Sequence, residues 1–151
     1  MTTPFAAVES AAQRYSQVRM TTSTPGELLL ALYDGLFRFL NGAKICMERK
    51  EMARARELLS KAYAILSELY IALDHSLAPE LCANLEALYG FAMDRVMQAS
   101  RKGLTSSIEE VVRVLTPLRE AWQIAVPQAV REQHEASAAE AAKAPSSRAN
   151  R

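Results

Sequence analysis

Few side chains in this sequence could carry acid–base, nucleophilic or metal chemistry, and their spacing does not gather them into a site. There are two histidines. His75 follows Asp74 at what reads as a helix end, and His134 stands where the composition turns to Ala, Ser, Glu and Lys. No Cys-x-x-Cys, His-x-x-x-His or Glu-x-x-His pattern occurs, so neither a zinc site nor a di-iron bundle site is supported. No Gly-rich phosphate loop appears. Cys46 and Cys82 each sit within helical periodicity and read as reduced packing thiols; sequence alone leaves a disulfide between them open. Asp74 reads as a solvated carboxylate at a helix end. Asp34 is more informative, because it lies on the polar strip of an otherwise apolar helix. It has two readings: solvation or an ion pair with Arg38 four residues on, or a polar pin for a bound chain. The chemistry expected is therefore recognition, with no enzyme activity, no metal and no cofactor.

The elements that would position such a surface are helices. Half of the 151 residues are hydrophobic, only five are Gly, and β-branched residues never alternate over a sustained run. The class is all-α, and the length suits one domain that buries about two thirds of its unfolded surface. Net charge is +1, from 18 basic and 17 acidic residues. That balance argues against a nucleic-acid partner, which needs clustered excess base. The start, Met1-Thr-Thr-Pro, lacks the features of a signal peptide. No run approaches ~18 consecutive apolar residues, so no membrane insertion is expected and the location expected is the cytosol.

The stretch from Thr24 to Leu40 organises the rest. Thr24 can cap, Pro25 suits the first helical position, and Glu27 completes a capping box. Leu28, Leu32, Leu36, Phe39, Ala43 and Cys46 form one face, flanked by Leu29, Leu40 and Met47. Leu30, Tyr33 and Phe37 extend the apolar surface around the cylinder, leaving Asp34, Arg38, Asn41, Lys44 and Glu48 a narrow polar strip. A helix with such a surplus is either deeply buried or reserves one edge for another chain. If a bundle buries one stripe per helix, that edge stands partly exposed. Helices are expected near 25–48, 51–75, 79–102 and 106–131. Their core stripes run through Leu58, Ala62, Ile65, Leu69 and Ala72, then Leu81, Leu85, Leu88, Ala92, Val96 and Ala99, then Ile108, Val111, Leu115, Leu118, Trp122 and Val126. Ser106 and Ser107 offer caps to the last helix, Trp122 is expected mostly buried, and Pro117 bends that helix on its solvent side. Residues 1–23 form an N-terminal arm with a thin apolar face, enough to dock but not to hold. Residues 24–131 form the bundle domain, and 132–151 a disordered tail whose alanine content allows helix at its start.

Several of these stretches resemble one family. Thr24-Pro-x-Glu-Leu28, Leu32-Tyr-Asp-Gly35 and Arg38-Phe-Leu40 look like the opening of the FliS family of flagellin-specific secretion chaperones. Leu73-Asp74, Asn84-Leu-x-x-Leu-Tyr89 and Leu118-Arg-Glu-Ala-Trp122 are similar to its later motifs. Their order and spacing cover roughly residues 15 to 125. The longer tail, Pro117 and the absence of an acidic bias depart from the family pattern. The resemblance implies an antiparallel four-helix bundle that binds the C-terminal helical region of flagellin and keeps it from polymerising. It also implies delivery to a component of the flagellar export gate. It places the segment around Tyr15 against the bundle near the flagellin groove. With the surplus edge, the partner-binding residues expected are Tyr15, Val18, Leu29, Leu30, Tyr33, Asp34, Phe37 and Leu40.

Two other functions compete on the residues themselves. A histidine phosphotransfer domain needs an exposed mid-helix histidine with a cation nearby, and His75 has neither. A structural or adaptor bundle could self-associate through the same apolar groove, as a homodimer of the free chain.

Overall fold

The computed structural model describes residues 24–144; the N-terminal arm at 1–23 and its Tyr15 and Val18 lie outside the described residues. Four helices follow one another: α1 Pro25–Glu48, α2 Met52–Ile71, α3 Pro79–Lys102 and α4 Thr105–Lys143. Each begins or ends where its residues dictate. Thr24 Oγ accepts from the Glu27 amide at 3.3 Å, and the Glu27 carboxylate accepts from the Thr24 amide at 3.4 Å, so both halves of the capping box form. Lys50 turns the α1–α2 corner in the left-handed region at φ 60. Gly103 ends α3 at φ 66, a conformation that costs glycine nothing.

Short connections make sequential helices antiparallel. Each helix packs on two neighbours, α1 on α2 and α4, and α3 on α2 and α4, while the backbones of the diagonal pairs stay apart. The result is an up-down-up-down four-helix bundle. Leu36, Leu40, Leu59, Leu66, Val96, Ile108 and Leu115 are almost wholly buried along its axis. At one end α4 closes on the start of α1. A Cβ on Gly26 would come within 2.8 Å of the Val126 side chain, so the missing side chain is what lets Val126 bury there.

Several sequence expectations need correcting. Tyr33 and Phe37 are not a partly exposed edge: their exposures are 0% and 6%. The premise of one buried stripe per helix fails because α1 has a neighbour on each flank as well as the core before it. Leu40 is buried for the same reason. Helix α2 stops at Ile71, four residues early, because Asp74 Oδ1 accepts from the Ser76 amide at 3.0 Å and organises a turn; Ala72 is therefore exposed. Leu81 is 50% exposed at the start of α3. Helix α4 starts at Thr105 without a side-chain cap, so neither serine serves as expected, and Ser107 is buried. Trp122 is only partly buried, though it packs against the core.

The segment 132–143 is helical rather than disordered. It lacks anything to bury, but the alanine that allows helix at the start of the tail and the glutamate beside it are strong helix formers, and α4 supplies the nucleus. All of its side chains are exposed. Pro117 and Pro127 both lie within α4, each exposed, and the helix runs through them.

Gly90 lies within α3 with nothing inside 4 Å of where its Cβ would stand. Gly90→Ala should therefore raise stability by about 0.5–1 kcal/mol through lost chain entropy alone. A rise in the urea midpoint at constant slope checks this.

Candidate functional site

Three of the sequence motifs meet in one layer of the bundle. The Tyr33 and Tyr89 hydroxyls share a hydrogen bond of 2.5 Å across the core, from the diagonal helices α1 and α3. Burial pushes both phenols above the usual tyrosine range. The buried indole N–H of Trp122 lies close enough to favour a charged Tyr33 oxygen, but its geometry falls short of a hydrogen bond. One turn further out, Arg119 of α4 reaches Asp34 of α1 at 2.5 Å. The Arg119 guanidinium also lies over the Phe37 ring, 4.8 Å from its centre. Asp34 thus takes its partner from across the α1–α4 seam, not from Arg38 on its own helix.

This layer floors an open groove of about 750 Å³ along the seam, lined by Glu27, Leu30, Ala31, Asp34, Phe37, Arg38, Asn41 and Arg119. A smaller hollow of about 180 Å³ continues it past Asn41 to Lys44, Ile108 and Val112. Lys44 pairs with Glu109 at 3.0 Å there, a second tie across the same seam. From Glu27 to Lys44 the α1 wall is about 25 Å long at helical rise. That length suits a partner helix of several turns, and the mixture of apolar floor and charged rims suits an amphipathic one.

The predicted residues divide accordingly. Leu30, Asp34 and Phe37 line the groove. Leu29 is partly buried against the core, and Tyr33 and Leu40 are part of the core itself. Arg119 escapes a reading of the sequence alone. Its pairing with Asp34 spans 85 residues, and the nearer Arg38 satisfies the local rule.

The other titratable groups assemble no reaction centre. His75 Nε2 lies 3.3 Å from Glu86 at the exposed α2–α3 end, and the Tyr70 hydroxyl donates to the same carboxylate at 2.8 Å. Hydrogen bonds from Ser76 hold the Asp74 carboxyl below its usual range. Both cysteines are free, Cys82 buried and Cys46 partly so. Among the described residues no His, Cys, Asp and Glu cluster could hold a metal ion, and no helix is long and apolar enough to cross a membrane.

A helical bundle whose α1–α4 groove joins an apolar floor to paired charges is a binding protein of the chaperone or adaptor kind. Comparison with known proteins gives the family. The model of the family described as flagellar protein FliS matches residues 8–129. The flagellar secretion chaperone FliS of Bacillus subtilis is 34% identical over 128 residues, covering 85% of this chain and 95% of that protein. The Salmonella typhimurium chaperone of the same name is 31% identical over 125 residues, covering 80% and 93%. A solved structure described as a flagellar chaperone from bacteria superposes with a TM-score of 0.65 at 22% identity, over 80% of this chain and 98% of that one, and so shares the fold. The chain belongs to the FliS family of flagellar secretion chaperones, a family of chaperones and not of enzymes.

Proposed function

We propose that this chain is a cytosolic export chaperone that holds the C-terminal helical region of flagellin along the α1–α4 groove. The observation that carries the reading is that groove's construction. Its Asp34 and Arg119 come from the family's first and last motifs and tie the two walls together. A polymerising subunit exposes an amphipathic segment, and laying its apolar face on such a groove removes the surface that filament growth needs. Leu30, Phe37 and Ala31 supply the apolar contact; Glu27, Asn41 and Arg119 fix register. Leu29, Tyr33 and Leu40 support the floor from within. Delivery to a component of the flagellar export gate completes the role. In the free chain the same groove is open to a second copy, which size-exclusion with and without flagellin distinguishes from a monomer. The test of the function is a seeded flagellin polymerisation followed by light scattering. Equimolar chaperone should suppress growth; unchanged growth would reject the reading.

The N-terminal residues belong to the same proposal. With Tyr15 and Val18 docking beside the groove, deletion of residues 1–20 should leave the bundle folded and change flagellin affinity. Circular dichroism and calorimetry on the truncated chain check both halves. Loss of helical signal would make the arm part of the core instead.

A further inference from the structure

We infer that Asp34 is an internal stand-in for a carboxylate of the bound partner, and that binding exchanges Asp34 from Arg119 to Arg38. The inference rests on the flagellin reading above and assigns the groove its polar specificity. Three features carry it.

First, Arg119 is held in place but underused. Its guanidinium carbon lies over the Phe37 ring, and its Nη2 bonds a single Asp34 oxygen. Its buried Nε–H has no partner among the described residues. A planar guanidinium is suited to a two-point carboxylate contact, and Asp34 leaves that capacity unfilled.

Second, Asp34 can leave. Its side chain is 58% exposed against 32% for Arg119, so the carboxylate is the wetter half of the pair. It stands at the rim, where a docking chain would meet it.

Third, Asp34 has somewhere to go. Arg38 lies one turn along α1 and lines the same groove. Residues four apart on a helix are within reach of an ion pair. Among the described residues, no hydrogen bond or ion pair occupies the Arg38 guanidinium in the free chain. The move leaves every charge paired: Asp34 with Arg38, and Arg119 with a Glu or Asp on the partner helix. In the free state the Asp34–Arg119 pair keeps the groove walls tied and its cation satisfied. A partner without a correctly placed carboxylate leaves Asp34 on Arg119 and forgoes the two-point contact, which is how the groove would favour one amphipathic helix over others.

Calorimetric titration of full-length flagellin into the full chain tests this, with urea melts on the same samples. Asp34→Asn removes the internal competitor and should tighten binding by about two- to fivefold, the scale of one exposed charge pair. Arg38→Gln removes the fallback partner and should weaken binding by a similar factor. The two are coupled: in the Asp34→Asn background Arg38→Gln should be silent. Arg119→Lys keeps the charge but loses the fork, and should weaken binding at least about tenfold. Neutralising one acidic residue of flagellin's C-terminal segment should weaken wild-type binding and have no effect with Arg119→Lys. If Asp34→Asn weakens binding, Asp34 contacts the partner directly and the exchange is wrong. An Arg38→Gln effect that persists in the Asp34→Asn background overturns it too. No binding by the unmodified chain would reject the flagellin reading itself, a result distinct from either.

Discussion

Tyr33→Ala should destabilise the bundle by about 3–5 kcal/mol, the range for truncating a fully buried aromatic side chain. Marginal domains have only about 5–15 kcal/mol in total, so this one change should abolish most of the folded population under mild denaturant. The ring is wholly buried, and its hydroxyl is the only hydrogen-bond partner of the Tyr89 hydroxyl among the described residues. The two contributions separate experimentally. Tyr33→Phe keeps the ring and orphans Tyr89, which should cost about 1–3 kcal/mol; Tyr89→Phe should cost a similar amount. The double variant removes both hydroxyls together and should be less destabilised than the sum of the singles. Urea melts of the four proteins form the cycle. Strict additivity would mean that the hydroxyls do not support one another.

The same pair sets an alkaline limit. Both folded-state pKa values lie above the ordinary 10.0, raised first by burial. A raised folded value means that the stabilisation is complete below the unfolded pKa and is lost as pH rises through the folded one. Stability should therefore be flat with respect to these phenols up to about pH 10 and fall above it. The double variant carrying both Tyr33→Phe and Tyr89→Phe should lose that alkaline slope.

Leu30→Asp should have the opposite profile, with a large loss of binding and little loss of stability. Leu30 lines the groove but is absent from the side chains packed on the core, whereas its neighbour Leu29 is among them. Burying a leucine against a partner contributes about 1.5–3 kcal/mol, and placing a carboxylate there adds a desolvation cost. Flagellin affinity should fall at least about 100-fold. The urea midpoint should move by no more than a surface substitution does, about 0.5 kcal/mol. Wild-type affinity in this variant would move the binding site elsewhere on the bundle.

Which features are legible in the sequence follows from how far apart their causes lie. The Thr24–Glu27 capping box, the Gly103 stop and the stripes through Leu36, Ala62, Val96 and Leu115 are local, and each is present. The α1 wall of the groove is legible through Leu30 and Asp34, because an apolar surplus beside a narrow polar strip is itself a local pattern. Its floor is not. Whether Phe37 is exposed depends on α4 packing beside α1, a fact that no periodicity within α1 contains. The opposite wall is hidden because Arg119 looks like an ordinary surface arginine on α4 until that helix is laid beside Asp34. The tail is legible in part: its alanine content allows helix at its start, but not how far the helix runs, because residues 132–143 form it without burying anything.

The central claim is that flagellin lies along the α1–α4 seam. A photo-crosslinking amino acid placed at Asn41, exposed in the groove, tests it most directly, with the same group at Ala87, exposed on α3, as the comparison. After irradiation of the complex with full-length flagellin, mass spectrometry reads where the links fall. Adducts are expected from position 41 to the C-terminal helical segment of flagellin and none from position 87. Adducts from position 87 with none from position 41 would contradict the claim.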